Sequence, residues 1–292
     1  MSEIVREIAT QPACWREAVG AAREHGDALP GSGQRVAVVG CGTSWFMAQA
    51  FAALREAGAS GETDAFTPSE MPAGRSYDLV LLVSRSGTTT ELVRLLESLP
   101  RGVPTTALTA VAGTPVARGA TDAVVLAFAD ERSVVQTRFA TSALALLRVH
   151  LGQDLGPAIG EAEAAVETPL PIEPDRFDHF VFLGRGWTVG LAHEGALKLR
   201  EAAGAWAESY PAMEYRHGPI SVAGARSLVW ILGDPDPDLA RDVRATGATV
   251  VEGTLDPMAE LVIVQRTAVA LAGARGLDPD RPRHLTRSVV LS

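Results

Sequence analysis

The chain has 292 residues, of which 47% are apolar and 21% charged, a composition typical of a soluble globular protein with room for two modest domains. Its net charge of -9, without any lysine- or arginine-rich run, argues against nucleic acid as a partner, because phosphate-backbone binding needs a clustered basic face. Two cysteines are too few for a disulfide framework, and the sequence predicts neither a signal peptide nor a membrane span. We therefore expect a cytoplasmic protein with no membrane partner.

Strands and helices alternate along the chain, and five parts are predicted. They are an N-terminal helical segment at 1–30 that Pro12 interrupts, a first domain at 31–152, a polar linker at 153–174, a second domain at 175–277 and a tail at 278–292. Buried strands are expected at 35–39, 78–83, 103–108, 123–128, 178–183, 228–232 and 248–251, a short segment at 206–210, and helices at 45–56, 91–99, 133–151, beyond 186 and at 261–275. This alternation predicts α/β domains with parallel sheets covered on both faces.

The two domains resemble each other at their first strand. The segments VVGCGTSWFMAQAFAALRE and FLGRGWTVGLAHEGALKLRE align from the strand, through Gly-x-Gly, into a helix that ends in Arg-Glu, with one inserted residue. We interpret this as an internal duplication. Ligands of such parallel sheets bind beyond the carboxyl ends of the strands, where the motifs described next are predicted to lie.

Two turns that follow strands of the first domain are rich in hydroxyl groups. One contains Gly42, Thr43 and Ser44, and the other contains Ser84, Ser86 and Thr89. Thr43 or Ser44 is expected to cap the helix that follows, and capping alone could explain such residues. Two such turns at adjacent strand ends instead favour an anion site, because hydroxyls and free backbone N–H groups at a helix N-terminus bind anions. Neither Gly-x-Gly has the third glycine of a dinucleotide site, and no Walker pattern occurs.

A charged stripe is predicted on the helix beyond residue 186. Glu194, Lys198 and Glu201 are four and three residues apart, so they share one helix face. A solvated salt-bridge ladder is the ordinary interpretation of such spacing. Lys198, however, is the only lysine in the chain, and arginine cannot replace a compact ammonium whose pKa can be tuned. The stripe therefore becomes a candidate catalytic group.

Three further motifs contain titratable residues. His217 lies between Arg216 and Gly-Pro, a rigid turn that suits proton transfer near neutral pH. Glu131 and its neighbours could cap the helix that follows them. Asp234, Asp236 and Asp238 alternate with prolines and are interpreted as a solvated loop, so no metal site and no cofactor are predicted.

Six motifs in one order resemble the tandem sugar-isomerase (SIS) domain family, in particular the isomerase portion of glucosamine-fructose-6-phosphate aminotransferase and related amino-sugar-phosphate deaminases. They are Gly40-Cys-Gly-Thr-Ser44, Ser84-Arg-Ser-Gly-Thr-Thr89, Glu131-Arg-Ser-Val-Val-Gln-Thr137, Glu194-Gly-Ala-Leu-Lys-Leu-Arg-Glu201, Arg216-His-Gly-Pro219 and Pro282-Arg-His-Leu-Thr-Arg-Ser288. The resemblance covers the chain from about residue 30. It implies two flavodoxin-like, three-layer α/β/α SIS domains and a tail that contributes to the active site.

The resemblance also implies a role for each matching residue. A phosphosugar would be bound by Gly42, Thr43, Ser44, Ser84, Arg85, Ser86, Thr89, Val134 and Arg287. Glu201 matches the carboxylate that moves a proton between C1 and C2, with Lys198 beside it and Glu194 on the preceding turn. His217 matches the ring-opening histidine, which in this family can come from the partner subunit of a homodimer. The implied partner is a hexosamine 6-phosphate.

Two departures from the family pattern limit the expected reaction. No glutaminase sequence precedes residue 30 and position 2 is serine, so a glutamine-dependent synthase is not expected. Arg287 stands where the synthase has a lysine, and arginine cannot form a Schiff base. A glutaminase-independent isomerase or deaminase is the leading hypothesis. The alternatives are a dehydratase of N-acetylglucosamine 6-phosphate, a deglycase, an aldose-ketose isomerase, and, in another class, a non-catalytic phosphosugar sensor.

Overall fold

The computed structural model describes residues 2–234 and 236–291, which form two compact units. The first unit contains residues 13–155 together with residues 286–291 of the tail. The second unit contains residues 156–285 together with residues 2–12. The predicted linker at 153–174 holds a twelve-residue helix, Gly156–Glu167, that belongs to the second unit.

The first unit is built on a five-stranded parallel sheet in the order β2-β1-β3-β4-β5. Its strands are β1 (Val36–Gly40), β2 (Thr63–Phe66), β3 (Leu79–Ser84), β4 (Thr105–Thr109) and β5 (Asp122–Val125). Its helices are α2 (Gln11–Glu24, in this unit from Ala13 on), α3 (Thr43–Ala57), α4 (Thr90–Ser98), α5 (Pro115–Gly119) and α6 (Arg138–His150). This strand order is that of flavodoxin-like folds, in which the ligand binds at the point where the strand order reverses, between β1 and β3.

Helices cover both faces of this sheet. Alternate strand residues, among them Val39, Val80 and Leu82, pack with Leu92 of α4 and Val116 of α5 in one buried cluster. Helix α3 packs on the sheet with α6 beside it. Strands β1, β3 and β4 are buried along their whole length, as expected for central strands of a parallel sheet.

The second unit repeats the plan with four parallel strands in the order β7-β6-β8-β9. Its elements are α1 (Glu3–Ala9), α7 (Gly156–Glu167), β6 (His179–Gly184), α8 (Thr188–Ala203), β7 (Trp206–Pro211), β8 (Ser227–Leu232), α9 (Pro237–Ala245), β9 (Thr249–Glu252) and α10 (Pro257–Ala274). Helices α8 and α10 pack together, and α8 also packs on β6 and β7. Val181, Leu183 and Ile231 on the opposite face pack with α9. The predicted fold class, two three-layer α/β/α domains with parallel sheets, is confirmed.

A glycine at the end of the first strand allows close packing in both units. A Cβ on Gly40 would lie 2.7 Å from the backbone carbon of Ser44 in α3. A Cβ on Gly184 would lie 2.6 Å from the backbone nitrogen of Val189 in α8. The first glycine of each Gly-x-Gly therefore lets a helix begin directly against its strand, in the manner of doubly wound folds.

Several predicted element boundaries were wrong. Helix α3 begins at Thr43 with Gly42 as its N-cap residue, so neither Thr43 nor Ser44 is the cap. The expected loop of aspartates contains the start of α9, where the Asp236 carboxylate accepts a hydrogen bond of 2.9 Å from the Leu239 N–H. Helix α6 begins at Arg138, five residues after the predicted start. In the described part of the chain, no helix has the length and apolar character needed to cross a membrane.

Candidate active site

The turn between β3 and α4 brings the predicted serine hydroxyls together. Ser84 accepts a hydrogen bond of 3.1 Å from the Gly87 N–H, and Ser86 accepts one of 3.3 Å from the Thr88 N–H. Gly87 has φ +62°, a left-handed conformation that favours glycine. The turn is therefore closed by its own hydroxyl groups, and both serines are buried.

This turn forms one wall of a small cavity of about 40 Å³, which we call the hydroxyl pocket. It is lined by Cys41, Ser44, Val83, Ser84, Arg85, Ser86, Thr89, Leu92, Gln136 and Arg287. Six of the predicted phosphate ligands thus meet at the carboxyl ends of β1 and β3. Gly42 is the N-cap residue of α3, and Thr43 is its first residue, next to Ser44.

The tail reaches the hydroxyl pocket through contacts that the sequence did not predict. The Ser288 hydroxyl lies 3.0 Å from the Ser86 hydroxyl and 2.9 Å from the Thr88 hydroxyl. The Val289 carbonyl accepts a hydrogen bond of 3.1 Å from the Thr90 N–H. The tail therefore lies along the turn to which the phosphate was assigned. The sequence signal was the tail motif itself, of which Ser288 is the last residue.

Arg85 is buried, and its guanidinium connects three segments around the hydroxyl pocket. It donates to the carbonyls of Ser133 at 3.0 Å, Val134 at 3.2 Å and Arg287 at 2.8 Å, and lies 3.5 Å from the Glu131 carboxylate. Arg85 thus holds the segment 131–134 and the tail beside the β3–α4 turn, and we call this arrangement the Arg85 clamp. These contacts give no support to Arg85 as a phosphate ligand. Val134 likewise contributes its carbonyl to this clamp.

The Glu131 carboxylate also fixes the start of α6. Its Oε1 accepts hydrogen bonds of 2.6 Å from the Thr137 N–H and 2.8 Å from the Arg138 N–H. The suggestion that Glu131 caps the following helix is confirmed. Arg287 donates to the Glu131 carbonyl at 2.9 Å and forms an ion pair with Asp130. Arg287 is therefore held beside the hydroxyl pocket by protein groups.

Cys41 lines the hydroxyl pocket as a thiol. Burial, together with the negative charge of Glu91, raises its pKa to about 12. The thiolate is the nucleophilic form of cysteine, so a thiol with so high a pKa does not serve as a nucleophile near neutral pH.

In the second unit, α8 carries the predicted charged stripe, and the stripe is buried. The Lys198 ammonium lies 2.6 Å from the Glu201 carboxylate and 3.2 Å from the Glu194 carboxylate. The side chains of Lys198 and Glu194 are each 1% exposed, whereas Glu201 is 19% exposed. A solvated salt-bridge ladder is excluded by this burial. Glu201 is the member of the stripe that a ligand can reach.

The two carboxylates keep Lys198 charged. Burial by itself would lower the pKa of the ammonium, but the negative charges of Glu194 and Glu201 outweigh burial, so the pKa of Lys198 is raised. The group therefore presents a fixed positive charge next to a carboxylate that faces a cavity.

That cavity, which we call the Glu201 cavity, has a volume of about 660 Å³. Its walls come from the end of α8, the end of α10 and the segment 277–285. Four arginines line it, Arg200, Arg275, Arg281 and Arg283, and none of them was predicted as a site residue from the sequence. His217 is not among the lining residues. It is exposed at the end of the short helical segment Ala212–His217, so its ring-opening role with a partner subunit remains a prediction.

Fold and site together define a doubly wound α/β protein of two similar units, with a hydroxyl-lined pocket at the strand ends of one unit and a buried carboxylate–lysine group in the other. Residues 32–151 match the SIS domain family. The glutamine–fructose-6-phosphate aminotransferase of Gloeobacter violaceus is 29% identical over 316 residues, which cover 88% of this chain and 52% of that protein. The chain spans about half the length of the curated relatives it matches.

Two solved structures are similar over nearly the whole chain. Glucosamine-6-phosphate deaminase from Thermotoga maritima is 26% identical with a TM-score of 0.84, covering 99% of this chain and 100% of that one. The tagatose-6-phosphate ketose/aldose isomerase from Escherichia coli, at 18% identity and a TM-score of 0.82, covers 100% of this chain and 96% of that one and has the same fold. Residues 32–151 therefore form a SIS domain, and the chain is homologous to the isomerase domain of glutamine–fructose-6-phosphate aminotransferase.

Proposed function

We propose that this protein is a phosphosugar enzyme that opens the ring of a hexosamine 6-phosphate, moves its C2 proton and releases the amine. The similarity to a solved glucosamine-6-phosphate deaminase over 99% of the chain supports this reaction class. The observation that carries the proposal is Glu201, a partly exposed carboxylate on a cavity wall with a buried ammonium 2.6 Å away.

The chemistry follows from the open-chain sugar, whose C2 hydrogen is acidic because it lies next to the C1 aldehyde. Glu201 removes the C2 proton, the C–H electron pair forms a C1–C2 double bond, and the aldehyde oxygen takes up a proton. Return of a proton to C1 gives a C2 imine. Addition of water to the imine then releases ammonia and leaves a ketose phosphate. The base must be ionised and within hydrogen-bond reach of C2 for this sequence.

Lys198 has an electrostatic role in the proposal. Negative charge develops on the aldehyde oxygen as the C2 proton leaves, and a positive charge fixed in advance stabilises it. The contacts of Lys198 with two carboxylates hold the ammonium in place before the substrate arrives. Within the first unit, taken by itself, the hydroxyls of Ser44, Ser84 and Ser86 are proposed to bind a phosphate group.

Hydrogen exchange tests the proposal directly. Wild-type protein in deuterated water should introduce deuterium at C2 of glucosamine 6-phosphate. NMR measures the rate of this exchange. Glu201→Gln should lower that rate by roughly 10²–10⁴-fold, the usual contribution of a general base. Glu173→Gln, which alters an exposed carboxylate, is the matched control and should keep the wild-type rate. A rate of C2 exchange in Glu201→Gln equal to that of the wild type would show that Glu201 is not the base.

The identity of the product distinguishes the proposed deaminase from a dehydratase. Release of ammonia from glucosamine 6-phosphate is the expected result. An ultraviolet-absorbing enone formed from N-acetylglucosamine 6-phosphate, without ammonia, would indicate elimination of the C3 hydroxyl instead. Binding of hexose phosphates without exchange or product would indicate a sensor.

A further inference from the structure

A groove on the second unit lies between helices α1, α7 and α10, and it shares no lining residue with the Glu201 cavity. Its volume is about 370 Å³, at the lower end of the usual range for small-molecule sites. We call it the aliphatic groove, because most of its lining consists of aliphatic side chains. These are Val5, Ile8, Ala9, Val166, Leu170, Val269 and Ala270.

The lining also contains two charged residues, Arg266 of α10 and Glu167 of α7. The Nη1 atom of Arg266 donates hydrogen bonds of 2.6 Å to the carbonyls of Ala165 and Thr168. Helix α7 has no basic residue of its own in its last turn, so Arg266 supplies the positive charge that stabilises a helix C-terminus. This contact explains the presence of Arg266 without any ligand.

The same contact places both charges at one end of the groove. Ala165 and Thr168 lie on either side of Glu167, so the guanidinium is held at the end of α7 where Glu167 is the last residue. Within residues 2–234 and 236–291, the Glu167 carboxylate has no hydrogen bond or ion pair, and Arg266 donates through Nη1 alone. A carboxylate and the other guanidinium nitrogens are therefore available to a ligand at this end.

A free aliphatic α-amino acid has a matching arrangement of groups. Its carboxylate and ammonium are attached to one carbon, and its side chain extends away from both. Guanidinium groups bind carboxylates and carboxylates bind ammonium groups through charge-assisted hydrogen bonds. A fatty acid would bring a second negative charge to Glu167, and an alkylamine would bring a second positive charge to Arg266. The pair of opposite charges thus favours a zwitterion over either ion.

The aliphatic part of the lining is incompletely covered by the protein. Val5, Val166 and Val269 are each only half-buried. A ligand side chain in the groove would remove their exposed apolar surface from water, which is favourable. An amino acid with a branched aliphatic side chain therefore complements both parts of the groove.

We propose that the aliphatic groove binds a free branched-chain α-amino acid, with its carboxylate on Arg266, its ammonium on Glu167 and its alkyl group against the aliphatic lining. The site is separate from the groups proposed for sugar-phosphate chemistry, and its occupation does not depend on that chemistry.

Calorimetric titration of the whole chain with three related compounds tests the proposal. L-Leucine has both charges, 4-methylpentanoate is the same skeleton without the ammonium, and 3-methylbutylamine is the same skeleton without the carboxylate. Leucine should bind, and the other two should each bind roughly tenfold or more weakly, because each lacks one charge-assisted contact. Glycine should also bind more weakly than leucine, because it has no alkyl group to bury.

Two variants locate the site. Glu167→Gln, at an exposed carboxylate, should weaken leucine binding roughly tenfold and should not weaken the binding of 4-methylpentanoate. Ala270→Leu, at a half-buried position of the lining, should fill the groove and abolish leucine binding. Glu173→Gln, at an exposed carboxylate outside the groove, is the matched control and should bind leucine as the wild type does.

Three results would overturn the proposal. The first is an absence of binding at roughly 10 mM leucine, where even a millimolar Kd gives measurable occupancy. The second is an equal Kd for leucine and 4-methylpentanoate, since the groove would then not recognise the ammonium. The third is leucine binding that persists in both Glu167→Gln and Ala270→Leu, because the ligand would then lie elsewhere. No sugar phosphate is used, so failure here leaves the proposed function standing.

Discussion

The Lys198 ammonium lies 3.2 Å from the Glu194 carboxylate, and each side chain is 1% exposed. Removing two such ions from water costs several kcal/mol for each, and only close contacts offset that cost. The Glu201 carboxylate, 2.6 Å from the same nitrogen, supplies a second contact. One compact ammonium thus serves two carboxylates on one helix face, which explains why this position is lysine in a chain that otherwise uses arginine.

Replacing Lys198 with methionine should destabilise the fold. The substitution leaves the buried Glu194 carboxylate without its counter-charge, and removing one partner of a buried pair typically costs about 3–5 kcal/mol. Urea unfolding at pH 7 measures the change. The double variant Lys198→Met with Glu194→Gln should be more stable than the single variant, because both buried charges are then removed. A single variant as stable as wild type would contradict the burial of this pair.

The contribution of Lys198 to stability should also depend on pH at the alkaline end. The two carboxylates hold its pKa above the ordinary value of 10.5 in the folded protein, against the effect of burial. The folded state therefore keeps the proton more tightly than the unfolded state, and the stabilisation is complete below pH 10.5. It is lost as the pH rises through the folded pKa. The difference in unfolding free energy between wild type and Lys198→Met should be constant from pH 8 to pH 10 and shrink above that range.

Ser86→Ala should weaken anion binding in the first unit. Ser86 lines the hydroxyl pocket, and its hydroxyl is one of the groups that would donate to a phosphate oxygen. A hydrogen bond to a charged group contributes about 1.5–3 kcal/mol, so the Kd for glucosamine 6-phosphate should rise roughly tenfold or more. Calorimetric titration measures it. Ser98→Ala, at an exposed serine of α4, is the control and should bind as wild type does. If Ser86→Ala bound glucosamine 6-phosphate as tightly as the wild type, Ser86 would not be a phosphate ligand.

Local patterns in the sequence predicted most of the fold. Buried strands β1, β3 and β8 are continuous apolar runs that end in glycine or serine turns, and such runs are recognisable without tertiary information. Strands β2 and β7 lie at sheet edges and contain polar residues such as Asp64 and Glu208, so they lack that pattern. Helix α9 was missed because the prolines and aspartates at its start are equally typical of loops and helix N-termini.

The site was predictable only where its residues are neighbours in the chain. The stripe of Glu194, Lys198 and Glu201 follows from helical spacing, but its burial does not, because burial depends on the packing of α10 against α8. The Arg85 clamp joins groups 46 to 202 residues apart, and spacing along the chain carries no signal for such contacts. The arginines of the Glu201 cavity come from three separate segments for the same reason.

Gly184→Ala should disturb the proposed proton-transfer group from a distance. The added Cβ would lie 2.6 Å from the Val189 nitrogen and closer still to the Thr188 carbonyl, and backbone cannot move aside as a side chain can. Helix α8 must therefore shift, which should cost about 1–3 kcal/mol or more of unfolding free energy and lower C2 exchange, because α8 carries Glu201. Gly160→Ala is the control. Gly160 lies inside α7, and a Cβ added there would have open space around it, so alanine should raise the free energy of unfolding by about 0.5–1 kcal/mol. Urea unfolding and deuterium exchange on both variants check the prediction, and a Gly184→Ala protein as stable and active as Gly160→Ala would contradict it.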